Sequence, residues 1–383
     1  MPANNNQPLR VCYFGTYREN YSRNQMMIAG LRMNGVVVNE CHETLWHGIE
    51  DRVRIASGEW LKPGFWKRVI SAYWHLLRKY LKTDTHDILI VGYPGQFDVL
   101  LARILSWMKH KPLVWDVFMS IYLITIERGL DKQNKLSAKM LRAIEWLALR
   151  LPDRLILDTN DYVQWFVKTY QVKPERFYLV PTGADDRTFS PVSESPDKDD
   201  KFTVLYYGTF IPNHGVIYMI EAAQILKSEP CIQFEFIGTG PELQAAVEFS
   251  DRNQLSNVKF IKWLEKEQLK HHMSQVDICL GAFGITPQSM MTIQNKIYES
   301  VAMRKPLISG DSPAIRQVFT HGENIYLCER ANGLAIADAI TALWKKPTLR
   351  EHIAQAGYML YQEKYSLLVN GQRYKTCLHE LSQ

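Results

Sequence analysis

Residues 295–311 (NKIYESVAMRKPLISGD) form the segment with the most chemical content. Their pattern predicts a helix over Ile297–Met303 and then a strand from Leu307, so the amides of Ile293–Lys296 would lie at the helix N-terminus. Amides at the positive end of a helix dipole favour a phosphate group. Lys296 adds a positive charge, and Glu299 could accept hydrogen bonds from a ribose diol because an ionised carboxylate offers only acceptors. A surface glutamate beside ordinary capping residues is the alternative interpretation.

Residues 207–215 (YGTFIPNHG) form a second candidate segment, in which a strand delivers Gly208 to a tight turn. Glycine lets the backbone approach a ligand closely. The segment is not a G-x-G-x-x-G motif, so dinucleotide binding is not supported. His214 precedes the next helix and could contact a phosphate or carry a proton. An unremarkable loop histidine is the alternative.

Three further features could face a ligand at strand ends. Residues 236–243 (FIGTGPEL) place Gly238 and Gly240 in a turn that could line a nucleotide pocket, and Trp263 could stack on a base or fill the core. Residues 15–18 (GTYR) follow the first strand. Arg18 and Arg23 could bind an anionic phosphate or acceptor by forked hydrogen bonds, or be solvated side chains.

Other chemistry finds little support in the sequence. No G-x-S-x-G, HExxH or Walker A run occurs, and no cysteine lies at metal-ligand spacing with histidine, so no metal is expected. The cysteines are expected to be reduced and mostly buried, which fits a reducing compartment. They are Cys12, Cys41, Cys231, Cys279, Cys328 and Cys377.

Strands and helices alternate in both halves of the chain, which predicts two doubly wound α/β domains facing each other across a cleft. We expect domains at 1–190 and 202–350, a linker at 191–201, and C-terminal helices at 351–383 that could return to the first domain. Strands are predicted at Leu9–Phe14, Val36–Asn39, Ile88–Val91, Leu113–Trp115, Arg154–Asp158, Thr203–Tyr207, Gln233–Ile237, Val258–Ile261, Ile278–Leu280 and Pro306–Ile308.

Composition agrees with two globular domains. The chain has 383 residues, of which 46% are hydrophobic and 22% charged, with a formal net charge of +5. That mild excess does not indicate nucleic acid. No signal peptide and no apolar run of about 18 residues is visible. The sequence therefore predicts a cytoplasmic protein, or a peripheral one on the inner face of the membrane.

Residues 60–82 raise the membrane question. Trp60–Lys82 has no acidic residue and six Lys/Arg, and an apolar stripe recurs at helical spacing. A basic helix with interfacial aromatics suits an anionic membrane surface, and the acceptor would then be lipid-linked. A helix whose apolar stripe packs on the sheet is the alternative. The stripe comprises Phe65, Val69, Tyr73, Leu76, Leu77 and Tyr80.

Taken in order, these segments resemble glycosyltransferase family 4, whose members have the GT-B fold. Residues 180–191 (VPTGADDRTFSP) look like the family's "PNGVD…F.P" segment, YGTFIPNHG like its "GR…KG" turn, IGTGPEL like its "IGDGPE" turn, and NKIYESVAMRKPLI like its "EAMACGKPVI" segment. The resemblance implies transfer from a nucleotide-diphosphate sugar, usually with retention and without an essential metal or other cofactor. It covers most of the chain.

Carried over by position, Glu299 matches the second glutamate of the family's paired-glutamate motif, and Met291 stands where the first is expected. Thr209 and His214 stand at the usual arginine and lysine of the turn. Asp116 and Ser120 lie at a strand end comparable to that of the family's first-domain histidine. These departures put the phosphate-binding chemistry in doubt, and Lys296, Arg18 or His214 could compensate.

The sequence thus predicts a glycosyltransferase, of hexosyl or related type, that acts in polysaccharide or glycoconjugate synthesis on a glycan or lipid-linked acceptor. A non-catalytic nucleotide-sugar-binding scaffold and a sugar-nucleotide epimerase are the alternatives. The nucleotide, sugar, linkage and oligomeric state stay open. Catalysis is assigned to His214, Lys296 and Glu299, donor binding to Gly15, Gly208, Thr209, Gly238, Gly240, Trp263, Ile293, Asn295, Lys296 and Glu299, and acceptor binding to Arg18, Arg23, Asp116 and Ser120.

Overall fold

The computed structural model describes residues 8–45, 62–192 and 201–382, which divide into two compact units. The first unit runs to Pro181 and includes the segment from Leu367 onward, and the second is Thr182–Ser366. The division falls before the boundary at 190 that the sequence suggests, because Ala184 and Phe189 pack into the second unit's core. Most of the predicted linker, 193–200, lies outside the described residues.

The first unit is built on a parallel six-stranded sheet of order β2-β1-β3-β4-β5-β6. Its inner strands are short and almost wholly buried, as expected for parallel strands that are covered by helices on both faces. The strands are β1 (Arg10–Gly15), β2 (Val37–His42), β3 (Ile88–Val91), β4 (Leu113–Asp116), β5 (Arg154–Leu157) and β6 (Phe177–Leu179).

Helices cover both faces of this sheet. The crossover from β1 to β2 runs in the opposite direction to the later ones, so the right-handed rule puts α1 on one face and the helices between β2 and β6 on the other. The helices are α1 (Ser22–Met33), α2 (Pro63–Lys82), α3 (Asp98–Lys109), α4 (Ile121–Glu127), α5 (Leu130–Gln133), α6 (Lys135–Ala148), α7 (Asn160–Tyr170) and the C-terminal α16 (Leu367–Ser382).

The C-terminal helix α16 lies against α1. A Cβ on Gly30 would stand 3.0 Å from the Cα of Gly371, so two glycines let the helix backbones approach closely. The preceding helix, α15 (Pro347–Lys364), stays in the second unit. The chain thus changes units at the break near Tyr365, and only the last helix of the tail belongs to the first unit.

The second unit has its own parallel sheet, of order β12-β11-β10-β7-β8-β9. Its strands are β7 (Phe202–Thr209), β8 (Ile232–Thr239), β9 (Val258–Ile261), β10 (Ile278–Leu280), β11 (Leu307–Gly310) and β12 (Tyr326–Cys328). Its helices before α15 are α8 (Val216–Ile225), α9 (Leu243–Arg252), α10 (Lys266–Gln275), α11 (Pro287–Met291), α12 (Asn295–Ala302), α13 (Pro313–Arg316) and α14 (Gly333–Lys345).

The two parallel sheets confirm the predicted doubly wound fold class. No helix among the described ranges is long and apolar enough to cross a membrane. All six cysteines are free, and four of them are buried, as expected.

Candidate functional site

The buried amine of Lys296 lies at the carboxyl end of β7. Lys296 is the second residue of α12, and its Nζ stands 3.4 Å from His214 Nδ1 and 3.9 Å from the centre of the Tyr206 ring. A Cβ on Gly208 would stand 2.8 Å from this Nζ. Two segments that are far apart in sequence therefore meet at one amine, and glycine at 208 leaves the space that it occupies.

The electrostatics of this amine are unusual. Within the described part of the chain, no carboxylate oxygen forms an ion pair with Lys296, although the residue is buried. Burial lowers the pKa of Lys296 well below its ordinary value, and the negative charge of Glu299 opposes this only in part. A buried amine without a carboxylate partner is prepared to bind an anion, since an arriving phosphate would favour its charged form.

His214 is held beside this amine in a defined orientation. The carbonyl oxygen of Thr209 accepts from His214 Nδ1 at 2.6 Å and from the Tyr206 hydroxyl at 2.9 Å. These contacts place the proton of the neutral ring on Nδ1 and leave Nε2 as an acceptor. Burial lowers the pKa of His214 well below its ordinary value, and the nearby Lys296 lowers it further.

Glu299 lies one turn further along α12 and is oriented by a tyrosine. The Tyr207 hydroxyl donates to Glu299 Oε2 at 2.9 Å and also lies 3.2 Å from the Lys296 carbonyl oxygen. Burial raises the pKa of the Glu299 carboxyl, while the hydrogen bond from Tyr207 lowers it. Neither Tyr206 nor Tyr207 is singled out by its sequence pattern, since both lie in a strand that could equally be core.

Packing between neighbouring strands explains the two glycines that were predicted to line a nucleotide pocket. A side chain on Gly238 would clash with the backbone of Gly208 on the neighbouring strand. A Cβ on Gly240 would stand 2.5 Å from the Phe210 carbonyl oxygen. Glycine at these positions is therefore explained by contacts between β7 and β8, and any role toward a ligand is additional.

The remaining donor candidates of this unit are placed differently. Ile293 is a core side chain, so only its backbone could face a ligand. Asn295 begins α12, whose N-terminus has no side-chain cap and no acidic residue in its first turn. Trp263 follows β9 and is 57% exposed, so it does not fill the core. Met291 ends the short helix α11.

In the first unit, Arg23 and Asp116 form a buried ion pair. Arg23 Nε stands 2.9 Å from Asp116 Oδ2, both side chains are fully buried, and Arg23 Nη1 donates to the Val180 carbonyl oxygen at 2.8 Å. The two side chains thus bind each other inside the unit, and the predicted contact of both residues with an acceptor stays a prediction. The pair joins α1 to the carboxyl end of β4.

Ser120 is likewise committed to the fold. Its hydroxyl accepts from the Leu123 amide at 3.0 Å as the N-cap of α4 and donates to Glu145. Glu145 is buried and also accepts from the Tyr170 hydroxyl at 2.6 Å. The acceptor role predicted for Ser120 therefore has no support in its contacts.

Gly15 makes room for a carboxylate of its own unit. A Cβ on Gly15 would stand 2.7 Å from Asp98 Oδ2, and Asp98 accepts from the Thr16 amide at 2.8 Å. Gly15 belongs to the first unit, whereas the group around Lys296 belongs to the second.

Unsatisfied polar atoms at the carboxyl ends of the first sheet belong to Arg18 and Asp158. Neither Arg18 Nε nor the two carboxyl oxygens of Asp158 have a hydrogen-bond partner in the described residues. Burial raises the pKa of Asp158 to about 7, although the charge of Arg23 opposes this. From the sequence, Asp158 is predicted only as the last residue of a strand.

Comparisons with known proteins agree with the two-sheet architecture. The solved structure of HepE from Anabaena in complex with UDP-glucose has a TM-score of 0.68 at 14% identity, covering 98% of this chain and 100% of that one. Sucrose-phosphate synthase from Thermosynechococcus elongatus has a TM-score of 0.71 at 14% identity, covering 98% and 99%. At this identity the likeness shows the fold alone, which is the GT-B fold.

Sequence comparisons point to the second unit. The family model described as "Glycosyl transferases group 1" matches residues 201–346. Alpha-D-kanosaminyltransferase of Streptomyces kanamyceticus is 29% identical over 181 residues, which are 45% of this chain and 44% of that protein. The matched part thus spans less than half the length of that relative.

Proposed function

We propose that the chain is a glycosyltransferase that transfers a sugar from a nucleoside-diphosphate donor to a glycan or lipid-linked acceptor, a proposal supported by the match of residues 201–346 to the family model described as "Glycosyl transferases group 1". The observation that carries the proposal is the buried Lys296 amine, which has no carboxylate partner in the described residues and stands 3.4 Å from His214 Nδ1. Ligands of such parallel sheets bind beyond the carboxyl ends of the strands, which is where this amine lies.

The proposed mechanism is stabilisation of the leaving group. As the bond between the sugar and the diphosphate breaks, negative charge grows on the phosphate oxygens. Lys296, whose charged form the phosphate favours, and the amides that begin at Asn295 would face this charge. They would thereby lower the barrier to departure of the diphosphate. Glu299 would accept from the ribose hydroxyls, held in place by Tyr207.

The finer assignments belong to this proposal. We propose, as in glycosyltransferase family 4, that the anomeric configuration is retained and that no metal is needed, because Lys296 supplies the positive charge. His214, whose Nε2 is an acceptor, would accept a hydrogen bond from a hydroxyl of the donor, and Trp263 is available to stack on the base. On the acceptor side, we favour Arg18 among the predicted residues and add Asp158, because both have buried polar atoms without a hydrogen-bond partner in the described residues, whereas Arg23, Asp116 and Ser120 are engaged within the unit.

The acceptor is proposed to be presented at a membrane surface. The predicted segment Trp60–Lys82 begins outside the described residues, and its helix is Pro63–Lys82. Of the stripe read from the sequence, Phe65, Leu76 and Tyr80 are buried in the unit, as the domain-packing alternative expects. The neighbouring outer side of α2 nevertheless exposes Trp66, Ile70, Trp74 and Leu81 beside basic residues.

The experiment is a thermal-shift screen of the purified chain against UDP-, GDP-, dTDP- and ADP-sugars without metal. UDP-sugars come first because the similar HepE structure holds UDP-glucose. A donor that binds only the native state raises the unfolding midpoint. We expect one donor to do so, Glu299→Ala to abolish the shift, and the matched control Glu248→Ala, an exposed glutamate of the same unit, to keep it.

The other outcomes separate the alternatives. No shift with any donor, from protein shown to be folded, would favour a non-catalytic scaffold, which Met291 in place of the first motif glutamate makes a specific competitor. Conversion of the bound sugar without any acceptor would favour an epimerase.

A further inference from the structure

Three neighbouring helices of the first unit expose large apolar side chains on their outer sides. On α2 these are Trp66, Ile70, Trp74 and Leu81, on α3 they are Leu100, Ile104, Trp107 and Met108, and on α6 they are Leu136, Trp146 and Leu147. On each helix these residues recur at helical spacing, so they form an outer stripe. Such patches on a domain surface usually mark a binding partner.

The three helices lie side by side on one face of the sheet. They follow β2, β3 and β4, whose crossovers all run in the same direction across the sheet. Hydrogen bonds join the layer: the Tyr73 hydroxyl of α2 donates to Asp98 at the start of α3 at 2.7 Å, and Gln96 Nε2, just before α3, donates to Glu145 of α6 at 3.3 Å. The three stripes therefore belong to one surface, here named the tryptophan face.

The charges of the tryptophan face are mostly positive. The three helices contain only two acidic residues, Asp98 and Glu145, and both are buried inside the unit. Two acids from outside these helices reach it, since Asp153 pairs with Arg103 and Glu43 pairs with Lys79. The remaining excess of bases fits an anionic partner. The basic residues are Lys67, Arg68, Arg78, Lys79 and Lys82 on α2, Arg103 and Lys109 on α3, and Lys135, Lys139 and Arg142 on α6.

The same pair of residues occurs at each of the three helices. Arg78 stands 4.7 Å from the ring centre of Trp74, Arg103 stands 5.1 Å from that of Trp107, and Arg150 stands 3.8 Å from that of Trp146. These tryptophans are 52%, 61% and 47% exposed. Tryptophan concentrates where hydrocarbon meets lipid headgroups. Arg103 is paired with Asp153 and Arg150 donates to two backbone carbonyl oxygens, so Arg78, which is exposed, is the guanidinium best placed to bind a headgroup phosphate.

We propose that the tryptophan face of α2, α3 and α6 docks the protein on an anionic lipid bilayer, with the tryptophans at headgroup depth and exposed basic side chains such as Arg78 on the phosphates. We choose a bilayer as the occupant because whatever covers the tryptophan face must present both apolar groups and negative charges across three adjacent helices. The proposal rests on the proposed function for its purpose, since a docked first unit would meet a lipid-linked acceptor at the membrane.

The test is co-sedimentation of the full chain with vesicles of phosphatidylcholine alone or mixed with phosphatidylglycerol. The variants are Trp74→Ala, Trp107→Ala and Trp146→Ala, one for each helix. The control is Met359→Ala, an exposed apolar residue on α15 of the second unit. We expect binding to the anionic vesicles only, weakened about tenfold by each tryptophan variant and unchanged by the control.

Three results would overturn the proposal. The first is that the folded protein does not bind anionic vesicles. The second is that only Trp74→Ala, and neither of the other two tryptophan variants, loses binding. The third is a wild-type dimer in solution that the tryptophan variants convert to monomer, because a second copy would then be the occupant. Donor thermal shifts measured on the same samples keep the two proposals apart. Protein that shifts with a donor but ignores vesicles refutes the docking alone, and the reverse pattern refutes the transferase alone.

Discussion

Replacing Lys296 with methionine should stabilise the unliganded protein and weaken donor binding at the same time. The amine is buried without a carboxylate partner in the described residues. Folding therefore removes it from water without a strong electrostatic attraction to offset the desolvation cost. A cation–π contact with the Tyr206 ring, whose centre is 3.9 Å away, offsets part of that cost. We expect Lys296→Met to raise the free energy of unfolding by about 1–3 kcal/mol.

The pH dependence of this difference has a defined sign. Because burial lowers the pKa of Lys296 in the folded state, the unfolded chain binds more protons between that value and about 10.4. Wild-type stability therefore rises with pH through this window. The advantage of Lys296→Met should be largest at neutral pH and should shrink as the pH approaches 10 or so.

Donor affinity should move in the opposite direction. A hydrogen bond to a charged group contributes about 1.5–3 kcal/mol, so the variant should bind the donor roughly 10- to 150-fold more weakly. Denaturant unfolding gives the stability and calorimetric titration gives the affinity. A variant that is less stable than wild type, or that binds the donor equally well, would refute the view of Lys296 as an unsatisfied phosphate ligand.

Three other substitutions test the remaining geometry. Glu299→Gln should weaken donor binding about tenfold while Tyr207→Phe, which removes only the orienting hydroxyl, weakens it less, as measured by the same titration. Gly208→Ala should lower both the melting temperature and donor affinity, because its φ is +134° and the added Cβ would meet the Lys296 amine; unchanged affinity would contradict this. Arg23→Leu should lower the free energy of unfolding by about 3–5 kcal/mol, measured with denaturant, and leave donor binding intact. The double variant Arg23→Leu with Asp116→Leu should recover most of that stability. A stable Arg23→Leu protein that has lost acceptor binding would instead support the predicted acceptor role.

Much of the fold follows from the sequence because buried parallel strands are short apolar runs between helical patterns. Ile88–Val91, Val258–Ile261 and Ile278–Leu280 match their predicted bounds. The strands Phe177–Leu179 and Tyr326–Cys328 were missed, since edge strands of three residues carry too little pattern to separate them from loops.

The candidate site was only partly predictable. Lys296 and His214 were both named, but their contact joins residues that are 82 positions apart, which no local pattern shows. Arg23 looked like an anion-binding arginine because its partner Asp116 lies 93 positions away. A side chain's chemical type is visible in the sequence, whereas the partner that already satisfies it is not.

The outer side of α2 shows the same limit in another form. The helical spacing of Phe65 and Tyr80 is a packing stripe, as their burial shows. A second stripe, which includes Trp66 and Trp74, lies beside it on the helix and stays exposed. Periodicity alone does not tell which of two apolar stripes faces the sheet.

The most direct test of the central claim is calorimetric titration of nucleoside diphosphates into wild type and Lys296→Met at alkaline pH, in buffers of different ionisation enthalpy. If the diphosphate recharges the buried amine, one nucleoside diphosphate should bind wild type with uptake of protons from solution. Lys296→Met should bind it weakly and take up fewer protons. Absence of binding by any nucleoside diphosphate, or equal affinity and equal proton uptake in the two proteins, would contradict the proposed donor site.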